Sequence, residues 1–491
     1  MENRSQLTLN TSQQAGAAAP PDVKPSTSRA LGLRELGFVG FGALMVSMTQ
    51  TLLIPVLSTL PRDLRTSASN VQWLLTSTLL VAAVSVPVMG RLGDMFGKKR
   101  ILVFAMGALV VGSLLAALTS SIALLIVARA IQGMSGAAVP LGISLLSALM
   151  PRERAGSAIG LISSMLGVGG ALGLPLSGLL VEHYNFHILF WIPFVCGLIA
   201  MAGIFFFVPE SPSRSGGRID FIGSTVLAAA MVLLLLPLAE SSSWGWGSAR
   251  VLVMLAAALV LFVLLGWYEL HSRNPLIDMH SLSRRPLVLT NLASVLFGFA
   301  LFASLLGTAS YVSAPVASGY GFGSSLLVGG LALLPSGLCM LIFAPVAARL
   351  VASRGGGQTL ALGAAIVAIG WVLRITVTGS LWEIIVGTTI IGVGTGIGYA
   401  SMPALINAHS PIDELGAANG LNSLFRSVGS SLASAIGGSV LIATTISVGG
   451  FSLPSLAAYR MLFALCAGAA VLAAIAALAI PQPAEARSPL K

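Results

Sequence analysis

The segment Gly90-Arg91-Leu92-Gly93-Asp94-Met95-Phe96-Gly97-Lys98-Lys99-Arg100 crowds four cations and one carboxylate between two long uncharged runs. From Val71 to Gly90 there is no Asp, Glu, Lys or Arg, and from Ile101 to Ser120 there is none again. A helix needs about 20 apolar residues to cross a hydrocarbon core of roughly 30 Å. The segment therefore reads as a tight turn joining two antiparallel helices at one face of a membrane. Its glycines permit the sharp reversal. Its cations hold it on the cytoplasmic side. Asp94 is the odd member, because a loop selected only for positive charge needs no acid there.

The same length rule, carried outward, yields fourteen spans. Six fall near 36–59, 71–92, 101–120, 122–149, 156–180 and 188–208, and two more near 219–239 and 250–268. The last six fall near 287–315, 325–351, 358–377, 381–407, 416–443 and 458–480. The shortest joins are Ser120–Ser121 and the turn near Gly379. An even count returns the C-terminus to the side of the N-terminus. With the N-terminus inside, 19 of the 26 Lys and Arg lie in cytoplasmic segments; Arg62, Arg65, Arg250 and Arg460 fall outside, and Arg129, Arg374 and Arg426 lie within spans. A helix miscounted early would invert the later loops and erase that bias. Lipid offers the backbone no partner, so the spans must be helices, and the alternating ten-residue segments of a β-barrel are missing.

Composition agrees. Of 491 residues, 56% are hydrophobic and 9% charged, against roughly 25% charged in a soluble domain. The net charge of +10 does not point to nucleic acid, because the cations sit in short loops rather than on one exposed face. Cys196, Cys339 and Cys466 stand singly in apolar runs and read as small buried hydrophobes, with no metal or cofactor expected. Residues 1–34 lack the apolar core of a cleavable signal and read as a disordered cytoplasmic tail, with a second cytoplasmic tail at 481–491.

An internal repeat divides the chain. Pro87-Val88-Met89-Gly90-Arg91-Leu92 returns as Pro345-Val346-Ala347-Ala348-Arg349-Leu350, and Ala158-Ile159-Gly160-Leu161-Ile162-Ser163 as Ala418-Asn419-Gly420-Leu421-Asn422-Ser423. Both matches lie at nearly one offset and at the same membrane face. The expected organisation is an all-α polytopic protein: a six-helix bundle over 35–208, an inserted helix pair with its linkers over 209–285, and a second six-helix bundle over 286–480. Parallel halves of this kind place a binding cavity between them near the bilayer midplane.

The Gly90–Arg100 segment resembles the signature loop of the major facilitator superfamily, in which Gly90, Arg91, Asp94, Gly97 and Arg100 would be conformational residues. Arg129-Ala130-Ile131-Gln132-Gly133 is similar to the family's second motif. Gly160, Gly169, Gly173, Pro175 and Gly178 resemble its antiporter motif, with the proline displaced by one residue; they are expected to form one flat groove on the fifth span. Fourteen spans, with Asn274-Pro275-Leu276-Ile277-Asp278-Met279 after the eighth, look like the fourteen-helix drug:proton antiporter branch. The resemblance implies a monomeric exporter of small amphiphilic molecules in the inner or plasma membrane, driven by protons through alternating access. It also implies that Asp94 braces the start of the thirteenth span, near Gly416 to Gly420, where a helix N-terminus would favour a carboxylate by about 0.3–1 kcal/mol.

Charges inside the spans sharpen these expectations. Arg129 lies about two turns into its span, where a guanidinium is costly unless paired or hydrated; it is expected either to form a buried hub with Gln132 or to snorkel to the outer face. Arg374, near a helix end, is expected to snorkel. Asn419, Asn422 and Arg426 share one helical face, which either lines the cavity or packs in a cytoplasmic gate. Thr49, Gln50, Trp73, Phe297 and Tyr311 are further candidates for the cavity wall. All sixteen acids fall in loops or near span ends, and Met48-Thr49-Gln50-Thr51 stands where related antiporters carry an acid. That departure makes neutral or anionic substrates as plausible as cations, and leaves Asp94, Asp220 or Glu269 to carry a coupling proton. A dedicated exporter of a lipid or secondary metabolite competes with a broad drug pump, and a non-transporting receptor is the remaining alternative. No HExxH or Walker motif is present, and the Gly392–Gly398 string fails dinucleotide spacing, so an enzyme is not expected.

Overall fold

The computed structural model describes residues 32–481 except 59, 212–213, 215–219, 273–274, 277–278 and 449–450. Nearly all of both expected tails, and half of the Asn274–Met279 segment, lie outside the described residues.

Fourteen helices are long and apolar enough to cross a membrane. They are α1 Leu33–Leu57, α2 Asn70–Phe96, α3 Lys98–Ala117, α4 Ile122–Leu149, α5 Arg154–Val181, α6 Ile188–Phe207, α7 Phe221–Ala239 and α8 Ala249–His271. The second half supplies α9 Arg285–Ser313, α10 Leu327–Arg354, α11 Gly356–Thr376, α12 Leu381–His409, α13 Ile412–Ala443 and α14 Leu456–Leu478. Each lies where the hydropathy placed it, with ends moved by a few residues.

At the joins near Ser120 and Gly379, side chains satisfy the exposed helix ends. Before α12, Ser380 and Glu383 form a reciprocal capping box, and Glu383 Oε2 also accepts from Gly379 N at 2.6 Å. Before α4, the His187 ring lies 3.3 Å from Ser120 Oγ and 3.2 Å from the Thr119 carbonyl. At the same end, a short hairpin, β1 Thr445–Val448 with β2 Phe451–Pro454, joins α13 to α14.

Helices α1–α6 enclose one apolar core and α9–α14 a second. The inserted pair is more than a spacer. Leu227, Met231, Leu235 and Leu238 of α7 form a third cluster with Leu80 and Ala83 of α2 and with Leu421, Leu424 and Ala435 of α13. α7 thus covers the seam where the halves meet, while α8 turns much of its surface outward, including Leu259, Val263 and Trp267.

The halves meet most extensively along two seams, α2 against α13 and α5 against α10. They are copies of one contact. A Cβ at Gly160 would lie 3.0 Å from the Ala344 carbonyl, and one at Gly420 would lie 3.0 Å from the Val86 carbonyl. Gly420 follows Gly160, and Ala344 follows Val86, by nearly the spacing of the sequence repeat.

Candidate functional site

Between the halves lies a cavity of about 160 Å³. α1 contributes Gln50 and Thr51, α4 Arg129, α12 Tyr399, and α13 Arg426 and Ser430; apolar side chains, leucine and valine foremost, supply most of the remaining wall. Among the described residues no Asp or Glu lines it. The volume is below the roughly 300–1,000 Å³ of a drug-sized site.

Arg129 anchors one wall. It is 1% exposed and does not snorkel. Nε donates to the Leu74 carbonyl at 3.1 Å, and Nη1 donates to the Thr49 carbonyl at 3.2 Å and to Gln132 Oε1 at 2.9 Å. Gln132 passes the network on, donating to Ser113 Oγ at 2.7 Å. Three helices of the first half, α1, α2 and α4, are thereby tied to one guanidinium. Gly133 lets α4 approach α2, since a Cβ there would lie 2.5 Å from the Thr78 carbonyl. Thr49 joins the hub through its carbonyl; its hydroxyl donates to Met45, and its side chain does not line the cavity.

At one end of the bundle Asp94, the last-turn acid of α2, joins the two halves. Gly416 N donates to Oδ1 at 3.0 Å and Ala417 N to Oδ2 at 2.8 Å. These amides belong to the first turn of the helix Leu415–Ala443, whose free N–H groups and dipole favour an anion. Lys98 Nζ stands 3.1 Å from Asp94 Oδ1, with both side chains fully buried, and also reaches the Ile412 carbonyl at 3.4 Å. Close approach is possible because Gly90 faces Gly416: a Cβ at Gly90 would lie 2.5 Å from the Gly416 carbonyl. Gly97 has φ +117°, and a Cβ there would meet the Glu210 carboxylate at 2.6 Å. Glu210 in turn accepts from Lys99 N at 2.9 Å and Arg100 N at 3.3 Å, capping α3. Arg91 and Arg100 do not pair with Asp94 among the described residues. Lys98 and Glu210 were not singled out in the sequence; only the four-residue spacing of Asp94 and Lys98 hinted at the first.

A second set of polar contacts crosses the same end. Asn407 Nδ2 donates to Ser147 Oγ in the other half at 2.8 Å, and Asn419 Nδ2 donates to Asn407 Oδ1 at 2.6 Å. Asn422 donates to Asn291 Oδ1 at 2.9 Å and Ser294 Oγ at 2.7 Å. The shared face of Asn419, Asn422 and Arg426 therefore divides: the asparagines hydrogen-bond to neighbouring helices, and Arg426 reaches the cavity.

Several expectations need correction. The α5 glycines form two surfaces rather than one groove. Gly169 and Gly173 pack on α1 of their own half, with a Cβ at Gly169 falling 2.6 Å from the Leu44 carbonyl. Gly160, Pro175 and Gly178 face α10, against Ala344, Gly330 and Leu327. At about 100° per residue, Gly160 and Gly169 point in opposite directions. Trp73 packs with the α7 cluster, and Phe297 and Tyr311 are buried within the second core, so none lines the cavity. Arg374 does not snorkel; it is fully buried, donating to Thr308 Oγ1 at 3.0 Å and lying 4.6 Å from the Phe463 ring centroid. A space beside Gly387 admits its aliphatic stem.

The sequence profile of the Major Facilitator Superfamily matches residues 39–354 and, overlapping, 299–491. The chain is 29% identical over 417 residues to the tetracenomycin C resistance and export protein of Streptomyces glaucescens, covering 83% of this chain and 75% of that protein. It is 27% identical over 408 residues to multidrug resistance protein Stp of Mycobacterium tuberculosis, covering 82% and 75%. It is 26% identical over 393 residues to a probable actinorhodin transporter of Streptomyces coelicolor, covering 77% and 67%. Among solved structures, the human organic anion transporter MFSD10 superposes with a TM-score of 0.65 at 15% identity, over 90% of this chain and 99% of that one. At that identity the likeness bears on the fold alone.

Proposed function

Since the chain belongs to the Major Facilitator Superfamily, a family of transporters rather than enzymes, we propose that it exports small amphiphilic molecules by alternating access, coupled to proton influx. The observation that supports this reading is the inter-half cavity together with the Asp94 contacts that join the halves at one end of it. Alternating access needs a site that two rigid halves can expose to either side, and a closure weak enough to open. The Asp94 end is held by a few polar contacts and glycine-to-backbone approaches, which can separate without unpicking either apolar core. Relatives named for tetracenomycin C export and multidrug resistance support export as the direction.

The Lys and Arg bias orients the Asp94 end and both termini toward the cytoplasm, so the Asp94 contacts join the halves on the inner side. The protein works as a monomer, each chain carrying its own cavity. With no carboxylate on the cavity wall, the coupling proton is carried at a span end. Asp94 is the acid whose protonation would undo most, since a neutral carboxyl loses its pairing with Lys98 and weakens both amide contacts. Asp220 and Glu269 sit in the inserted pair, away from the cavity, bonded to Tyr268 and to Leu276 N.

The test is uptake into proteoliposomes with an imposed pH gradient, using anionic, neutral and cationic amphiphilic dyes. Gradient-dependent movement of at least one dye, abolished by collapsing the gradient, is expected. Movement of none would remove the reading.

A further inference from the structure

Resting on the cavity as the substrate site, we propose that it selects anionic amphiphiles, a carboxylate or acidic phenol on an apolar body, and that Arg426 binds the charge. The cavity wall carries two guanidinium groups and no acid. These two groups are not equivalent. Arg129 spends Nε and Nη1 on Leu74, Thr49 and Gln132. Arg426 makes one hydrogen bond among the described residues, from Nη2 to Ser423 Oγ at 3.1 Å, one turn away on its own helix.

The remaining fork of Arg426 is held in place from behind. Its guanidinium carbon lies 4.9 Å from the Tyr399 ring centroid, a stacking that fixes a planar cation. The backbone at Arg426 is seated directly on Gly298 of α9, where any side chain would collide with the Arg426 carbonyl. Two neighbouring hydroxyls are already engaged: Ser427 donates to the Ser423 carbonyl at 3.0 Å and Ser430 to the Arg426 carbonyl at 3.2 Å. Of these three side chains Arg426 is the one left to donate.

A cation entering such a site sheds its water and meets two like charges with no counter-charge, which a weakly polar medium makes unfavourable. A carboxylate or phenolate instead finds a forked, charge-assisted donor, while its apolar body lies against Leu75, Leu79, Leu301 and Phe302.

The experiment uses the full chain in liposomes with a pH gradient and the membrane potential clamped at zero by valinomycin and equal potassium. Initial rates are compared for an anionic fluorescein, a neutral coumarin and cationic rhodamine 6G. The fluorescein is expected to move fastest. In Arg426→Gln its rate relative to the coumarin should fall on the order of tenfold or more, and Arg426→Lys should restore part of that ratio. Melting temperatures in detergent establish folding, and if the Gln variant does not fold, the wild-type charge preference and the Lys variant decide. Faster rhodamine than fluorescein would overturn the anion assignment and leave the transporter reading standing. Equal loss of all dyes in a folded Arg426→Gln would also overturn it, by giving Arg426 a role in the cycle rather than in recognition. Movement of no dye at all would overturn both.

Discussion

Asp94 shows how much one side chain can hold when geometry supplies three partners at once. A helix dipole alone offers about 0.3–1 kcal/mol, but two direct amide contacts to a charged acceptor raise the stake to about 1.5–3 kcal/mol each. Lys98 complicates the obvious substitution, because Asp94→Asn leaves a buried ammonium without its partner, a change of about 3–5 kcal/mol. Asp94→Asn should therefore lower the melting temperature in detergent and slow transport roughly tenfold or more. Adding Lys98→Gln should recover stability without recovering transport. Full transport in the double variant would deny Asp94 its gating role. A second residue-scale contrast separates the buried arginines. Arg129 satisfies three acceptors on three helices, so Arg129→Met should cost about 2–4 kcal/mol. Among the described residues Arg374 has one hydrogen bond, and its Nε and Nη2 have none, so Arg374→Met should change stability by no more than about 1 kcal/mol. Thermal unfolding of the two variants side by side checks the difference.

At the scale of helices, glycine decides where two elements may touch. Gly90→Ala forces a methyl group into the Gly416 carbonyl and should pry the α2–α13 seam apart at the gate, whereas Gly438 has open space beside it and Gly438→Ala should be silent. Maleimide labelling of a cysteine at Val86, which lines the cavity, reads the opening; equal labelling in both variants would contradict it. These contacts also explain what the sequence could and could not reveal. Spans and their number were legible because each is a continuous apolar run bounded by charge, and Asp94 because an acid among cations has no topological purpose. The two faces of α5 were not legible. Glycine marks a close approach without saying to what, and the partner depends on how helices distant in sequence are arranged. Arg374 was misjudged for a similar reason: its distance from the helix end was visible, but the aromatic cluster and the Gly387 space that bury it come from α9, α12 and α14. Cavity candidates fared likewise, since Gln50 and Arg426 could not be told from Trp73, Phe297 and Tyr311 until the facing helices were in place.

For the molecule as a whole, the repeat makes two equivalent seams and the sequence then makes them unequal. The α5–α10 seam is packed toward both ends, from Gly160 against Ala344 to Gly178 against Leu327. The α2–α13 seam carries the Asp94 latch, while the repeat places Ala352 at the matching position of α10. One seam is thus suited to pivoting and the other to latching, and α7 covers the latched one. The central claim is that the halves rock about the cavity, closing one end as the other opens. Pulsed electron–electron distances between spin labels test it most directly, in a chain whose native cysteines are replaced. One pair joins the exposed positions Arg100 and Asp413 across the Asp94 end, and another joins Asp63 and Ala317 across the opposite end. Lowering the pH or adding a transported dye should lengthen one distance population while shortening the other. Two distances that move in the same direction, or neither moving under any condition that supports transport, would contradict it.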